Sequence, residues 1–204
     1  MKNARRKVLI TAAVLCGSAM LAACSSFSLS NVWRAPDFKG PAMRNVLVLG
    51  ISNSDATRRI FEDGFAQALK ASGVAASAAY SVLPEPGKIS DDRLKSAVTQ
   101  AKADSVLITR LTRVEQRADV VQPVVPAGYY RGGFYGWYGS AWAGVPASVN
   151  TYNVLTIETT LWDMRNETVI WSGNTEAIQP SDVAKATQDM AKVLIERMKK
   201  DGVI

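Results

Sequence analysis

The chain of 204 residues contains no histidine and only two cysteines, Cys16 and Cys24. Chemistry that needs an imidazole is therefore excluded: Ser-His-Asp and Cys-His nucleophile arrangements, and His-based metal sites. Serines and carboxylates remain. Gly50-Ile-Ser-Asn-Ser54 lies where a strand should pass into a helix, the setting of a nucleophile elbow. It lacks the closing glycine of Gly-x-Ser-x-Gly, and Ser52 has no histidine to activate it. A Ser-Lys dyad is the residual option, and a loop with a helix cap is the reading the residues favour. Asp91-Asp92 stand at a helix start, where acids complement the helix dipole, and this explains them better than a cation site. Asp55, Glu62 and Asp63 read as a solvated helix face rather than a catalytic acid pair. Gly87-Lys88 lacks the spaced glycine of a phosphate loop. The expectation is a non-enzyme without metal or cofactor.

Cys24 is the residue with chemistry of its own. Before it, Lys2, Arg5, Arg6 and Lys7 form a positive head, Val8 to Met20 an almost wholly apolar core, and Leu21-Ala22-Ala23 a small-residue end. That is the layout of a secretory signal peptide. The core is too short for a bilayer span, which needs roughly 20 residues. Leu21, Ala22, Ala23 and Cys24 resemble the lipobox of bacterial lipoproteins at every position. The resemblance implies cleavage before Cys24, a diacylated thiol and an acylated amine; several acyl chains hold stably where one is marginal. Ser25 and Ser26 follow in place of the Asp that retains such proteins at the inner membrane, which implies a lipid anchor in the outer membrane, facing the periplasm. Cys16 would leave with the signal peptide, so the mature chain would have neither a free thiol nor a disulfide. All four charges of residues 1–23 are basic, and without them the net charge falls from +6 to +2. The basic balance belongs largely to targeting and gives no reason to expect nucleic acid binding.

The unusual composition lies in an insertion at 122–149. Tyr129-Tyr-Arg-Gly-Gly-Phe-Tyr-Gly-Trp-Tyr-Gly-Ser-Ala-Trp142 holds seven of the chain's sixteen aromatic residues, with four glycines between them. Tyrosine and tryptophan dominate binding hot spots and membrane interfaces, and long loops of this kind are functional or disordered. Tyr129, Tyr130, Phe134, Tyr135, Trp137, Tyr138 and Trp142 are the candidate partner-binding residues. Such rings stack on sugars, lie at lipid headgroups or dock a protein, and the sequence does not choose among these.

The elements that must position these residues follow from hydrophobic periodicity. Residues 24–44 read as a lipidated tether, with Trp33 and Phe38 docking on a single domain at 45–204. Asn45 to Ile51 is a continuous apolar run that suits a strand buried on both faces. A helix should run from about Ala56 to Ala71, capped by Ser54 or Asp55, with Ile60, Phe61, Phe65, Ala68 and Leu69 inward and Arg58, Arg59, Glu62, Asp63 and Lys70 outward. A strand is expected over Val74 to Leu83 and a helix from Ser90 to Ala103, with Ser90 as its cap. A third strand should span Ser105 to Arg117. Asn150–Met164 and Thr168–Ala177 should form a hairpin around Arg165-Asn166. The last helix, Ser181 to Lys200, should bury Val183, Thr187, Met190, Val193, Leu194 and Met198. The predicted fold class is α/β: β-α-β-α-β, then a β-hairpin and C-terminal helix, a mixed sheet packed by helices.

This order resembles a group of periplasmic domains that includes the amino-terminal domain of TolB, LpoB and the periplasmic part of CsgG. The local echoes are Leu161-Trp-Asp-Met-Arg-Asn-Glu-Thr-Val-Ile-Trp171-Ser-Gly173, a pattern similar to one in small uncharacterised bacterial lipoproteins, and Asn31 to Pro41 ahead of the first strand. The resemblance is architectural and brings no catalytic residues. It implies a membrane-anchored adaptor or assembly factor of the cell envelope, touching an envelope protein or peptidoglycan. The alternative is a subunit of an oligomeric outer-membrane secretion or pore assembly, with the aromatic loop as a membrane-facing hairpin.

Overall fold

The computed structural model describes residues 27–85, 87–121, 133–135, 138 and 148–204. Six strands form one mixed sheet: β1 (Ser28–Arg34), β2 (Asn45–Ile51), β3 (Ala75–Ala78), β4 (Ser105–Val121), β5 (Ser148–Asp163) and β6 (Thr168–Ile178). Three helices accompany them: α1 (Asp55–Ala71), α2 (Asp91–Gln100) and α3 (Val183–Lys200). Strand order is β1-β6-β5-β4-β2-β3. β2 runs parallel to β3 and β4, and every other pairing is antiparallel. The predicted α/β class holds, and from β2 onward the elements follow the predicted order.

β2 lies between β3 and β4, and both its faces are covered. Val46 and Val48 pack with Phe61, Phe65 and Leu69 of α1 and Met190, Leu194 and Met198 of α3. Leu47 and Leu49 point the other way, toward Val98 and Ala101 at α2. α1 and α3 therefore share one face, and α2 covers the other. In β5, Leu155, Ile157, Thr159 and Leu161 lie toward α1 and α3, as their alternation predicts. Leu161 and Leu194 are fully buried in the same cluster, while Val193 is only half-buried. Leu161→Ala should therefore cost about 2–5 kcal/mol, read from denaturant melts, because a large buried side chain leaves a cavity.

Several expectations need correction. Residues 28–34 are not a tether but an edge strand, β1, paired with β6. Its pattern was hard to read because the register shifts between Ser30 and Trp33, and Asn31 adopts positive φ. Phe38 docks as expected, but Trp33 is 48% exposed. The strand over Val74 to Leu83 stops at Ala78, and a single 3-10 turn, Ala79–Ser81, replaces its second half. Ser90 occupies the N-cap of α2 without a side-chain capping bond. At α3 the cap is Asp182, which accepts the Lys185 N–H.

The Trp-Ser-Gly segment has a packing reason. Trp171 is fully buried, and its Nε1–H donates to Asp201 Oδ2 at 2.8 Å. A Cβ at Gly173 would stand 2.7 Å from the edge of that indole, so the ring occupies the space a side chain would need. A register shift between Leu161 and Trp162 sets two residues of β6 against one of β5, letting the consecutive Ile170 and Trp171 both be buried.

Candidate functional site

α1 leaves the carboxyl end of β2 toward β3 on one side, and the chain returns through α2 to β4 on the other. β2 is thus the point where strand order reverses, and in open α/β sheets ligands sit outside the carboxyl ends of strands at such a point. A cleft of about 230 Å³ opens there. Gly50 and Ile51 end β2 on one side of it, Leu111 of β4 and Leu155 and Ile157 of β5 form its floor, and Phe61 and Met190 supply helical walls. The lining is almost wholly apolar. Phe61 approaches the backbone so closely that a Cβ at Gly50 would lie 2.9 Å from its ring.

Arg58, in the wall of the cleft, forms an ion pair with Glu62 whose two residues the helical pattern assigns to solvent. Arg58 is 5% exposed and Glu62 is fully buried, whereas Ile60, assigned to the core face, is 41% exposed. Glu62 accepts the Gly50 N–H at 3.1 Å through Oε1 and the Tyr80 N–H at 2.7 Å through Oε2. Arg58 donates to the carbonyls of Leu83 and Glu85. Its Nε lies 3.3 Å from Glu62 Oε1, outside hydrogen-bonding alignment. The pair fastens the end of β2, the 3-10 turn and the loop before α2 to one helix. Burial holds the Glu62 carboxyl above its ordinary pKa, outweighing the two backbone N–H donors and the Arg58 charge. The signal available in the sequence was spacing: Arg58, Phe61, Glu62, Phe65 and Leu69 fall on one helical stripe.

Ser52 borders the cleft, but its hydroxyl accepts the Ser54 N–H, and Ser54 caps α1 through the Thr57 N–H. Both serve the loop and cap. Asp91 and Asp92 are exposed at the start of α2, and Asp55 pairs with Arg59 on the outer side of α1. Among the described residues, no group of three or more His, Cys, Asp or Glu is placed to hold a metal. No helix among them is long and apolar enough to cross a membrane.

The second candidate region is an arm. β4 pairs with β2 only as far as Arg110, and β6 pairs with β5 only from Val154 onward. Beyond these points β4 and β5 continue together as a two-stranded ribbon up to Val121 and Ser148. Residues 111–119 are exposed throughout. The aromatic insertion joins the ends of this ribbon. Of its candidate residues, Phe134, Tyr135 and Tyr138 are described and are 67%, 88% and 53% exposed. Phe134 stacks on Tyr138 at 6.3 Å between ring centroids and meets Tyr135 edge-on at 5.6 Å. Tyr129, Tyr130, Trp137, Trp142 and Cys24 lie outside the described residues.

No family model and no curated protein sequence matches the chain. Among solved structures it is similar to the PelC dodecamer from Paraburkholderia phytofirmans, with a TM-score of 0.44 and 16% identity over 82% of this chain and 94% of that one. It is also similar to lipoprotein GNA1162 from Neisseria meningitidis, with a TM-score of 0.40 and 12% identity over 77% of this chain and 99% of the other. A minor lipoprotein from Acinetobacter baumannii gives a TM-score of 0.33 and 10% identity over 78% and 94%.

Proposed function

We propose that this chain is a non-enzymatic lipoprotein, anchored in the outer membrane through Cys24, that acts in the periplasm as an adaptor or assembly factor for envelope components. The observation that carries the reading is the ribbon. A small α/β domain extends two of its strands well past the rest of the sheet and presents aromatic rings between their ends. Rigid rings held away from the body can enter a partner's pocket with little loss of side-chain freedom. A protein partner is the reading favoured, with peptidoglycan as the other envelope component of suitable chemistry. Arg113, Glu115, Arg117 and Asp119 recur at alternate positions and so share one face of the ribbon, a face that suits water or a polar partner and not lipid.

The anchor and the arm can be tested together. Cys24→Ala should prevent lipidation and release the protein from outer-membrane vesicles after a high-salt wash. Deleting residues 128–143 should leave anchoring and melting behaviour unchanged while removing partners from an envelope pull-down, and Trp137→Ala should weaken the same capture. Full retention of Cys24→Ala on washed vesicles would overturn the lipoprotein reading. Equal recovery of every partner by the deleted form would overturn the arm's role.

A further inference from the structure

Among the described residues, one edge of the ribbon has no partner strand. From Leu111 onward β4 pairs with β5 on one side and, among the described residues, with no strand on the other. The side chains flanking that edge are exposed. A strand edge of this length is a template for another strand, and charged side chains along it restrict which strand can pair.

Here the charges select a particular partner. After the irregularity at Thr112, pairing with β5 is regular from Arg113 to Val121. Arg113, Glu115, Arg117 and Asp119 therefore share one face, with Val114, Gln116 and Ala118 on the opposite face. Two copies of this segment laid antiparallel, with Gln116 opposite Gln116, place Arg113 against Asp119 and Glu115 against Arg117. By the two-fold axis both contacts occur twice, and all four cross-strand pairs join opposite charges. The small apolar Val114 and Ala118 face each other behind them. Moving the centre to Glu115 sets Arg113 against Arg117, and moving it to Arg117 sets Glu115 against Asp119. Both registers juxtapose like charges, which disfavours them. In the single chain Arg117 and Glu115 pair along the strand at 3.1 Å, so each has only to exchange that exposed partner for its counterpart across the axis.

We propose that the outer edge of β4 is a homodimer interface. Two copies pair their Arg113–Asp119 segments antiparallel about Gln116, joining the two ribbons into a four-stranded sheet. The contact is isologous and closed, so it ends at two copies. It is independent of what the aromatic tips bind, and confinement to a membrane surface would raise the effective concentration at which the edges meet.

The test uses the full chain purified from membranes in detergent. Gln116→Cys should form a disulfide-linked dimer under mild oxidation, because facing residues of an antiparallel pair stand about 4.5–5.5 Å apart between Cα atoms, within disulfide reach. Gln67→Cys, on the exposed side of α1, should not. An acidic variant, R113D with R117E, and a basic variant, E115R with D119R, should each sediment as monomers, with the dimer weakened at least ~10-fold. Mixing the two should restore the dimer. Absence of the Gln116→Cys cross-link above the control, unchanged dimerisation of either charge variant, or a mixture that stays monomeric would each overturn the proposal.

Discussion

Glu62→Ala should be among the most destabilising single changes in this domain, lowering stability by about 3–5 kcal/mol in denaturant melts, the cost expected when one partner of a buried ion pair is removed. Three losses coincide. The Gly50 and Tyr80 N–H groups lose their acceptors, and Arg58 is left with a buried charge facing only the carbonyls of Leu83 and Glu85. Gln67→Ala, on the exposed face of the same helix, should stay within about 0.5 kcal/mol of wild type. A loss at Glu62 no larger than at Gln67 would mean that the loops around the cleft do not depend on this pair. Glu62→Gln gives a second readout. Because the folded carboxyl holds its proton above the ordinary glutamate value, the folded state binds more protons than the unfolded chain between those two values. Stability contributed by this group therefore rises as pH falls through that interval and declines as pH rises through it. The difference between wild type and Glu62→Gln should carry that slope, and a flat difference would contradict it.

Trp171→Ala should cost about 3–5 kcal/mol, again by denaturant melt, against a total of roughly 5–15 kcal/mol for a domain of this size. The indole is fully buried against Gly173, and its N–H engages Asp201 just beyond α3. Removing it opens a cavity and takes the indole donor away from the Asp201 carboxylate. Trp171→Phe should cost less, since most of the ring surface stays buried. A near-neutral Trp171→Ala would show that the cavity collapses and that Gly173 is not there to admit the ring.

The parts legible in the sequence were those where one physical signal dominates. Val46, Leu47, Val48 and Leu49 form a run that only a two-sided burial explains, and the alternation Leu155, Ile157, Thr159, Leu161 marks the strand and its buried face. The start of α1 at the Ser54-Asp55 pair was equally direct. Arg58 and Glu62 escaped because charge is read as exposure. Their burial depends on backbone groups at Gly50, Tyr80, Leu83 and Glu85 that no local pattern brings near. β1 escaped because it is an edge strand broken by an irregularity at its centre. The ribbon was half visible: both of its strands follow from the sequence, but their continued pairing beyond the rest of the sheet is a tertiary fact.

The placement of β1 also governs the order in which the fold can be completed. Its partner is β6, and Ser30 reaches Asn174 across 144 residues of chain. A polypeptide delivered from its amino terminus presents β1 first and β6 almost last. The edge strand must wait, unpaired, until β6 has followed it, and Asp201 beyond α3 then ties the two strands, accepting from Arg34 by its carbonyl and from Trp171 by its carboxylate. Contacts of such separation slow folding, because the loop must close before they form. The sheet should therefore be completed only after β6 has been delivered, and a truncation that removes β6 should leave β1 without its place in it.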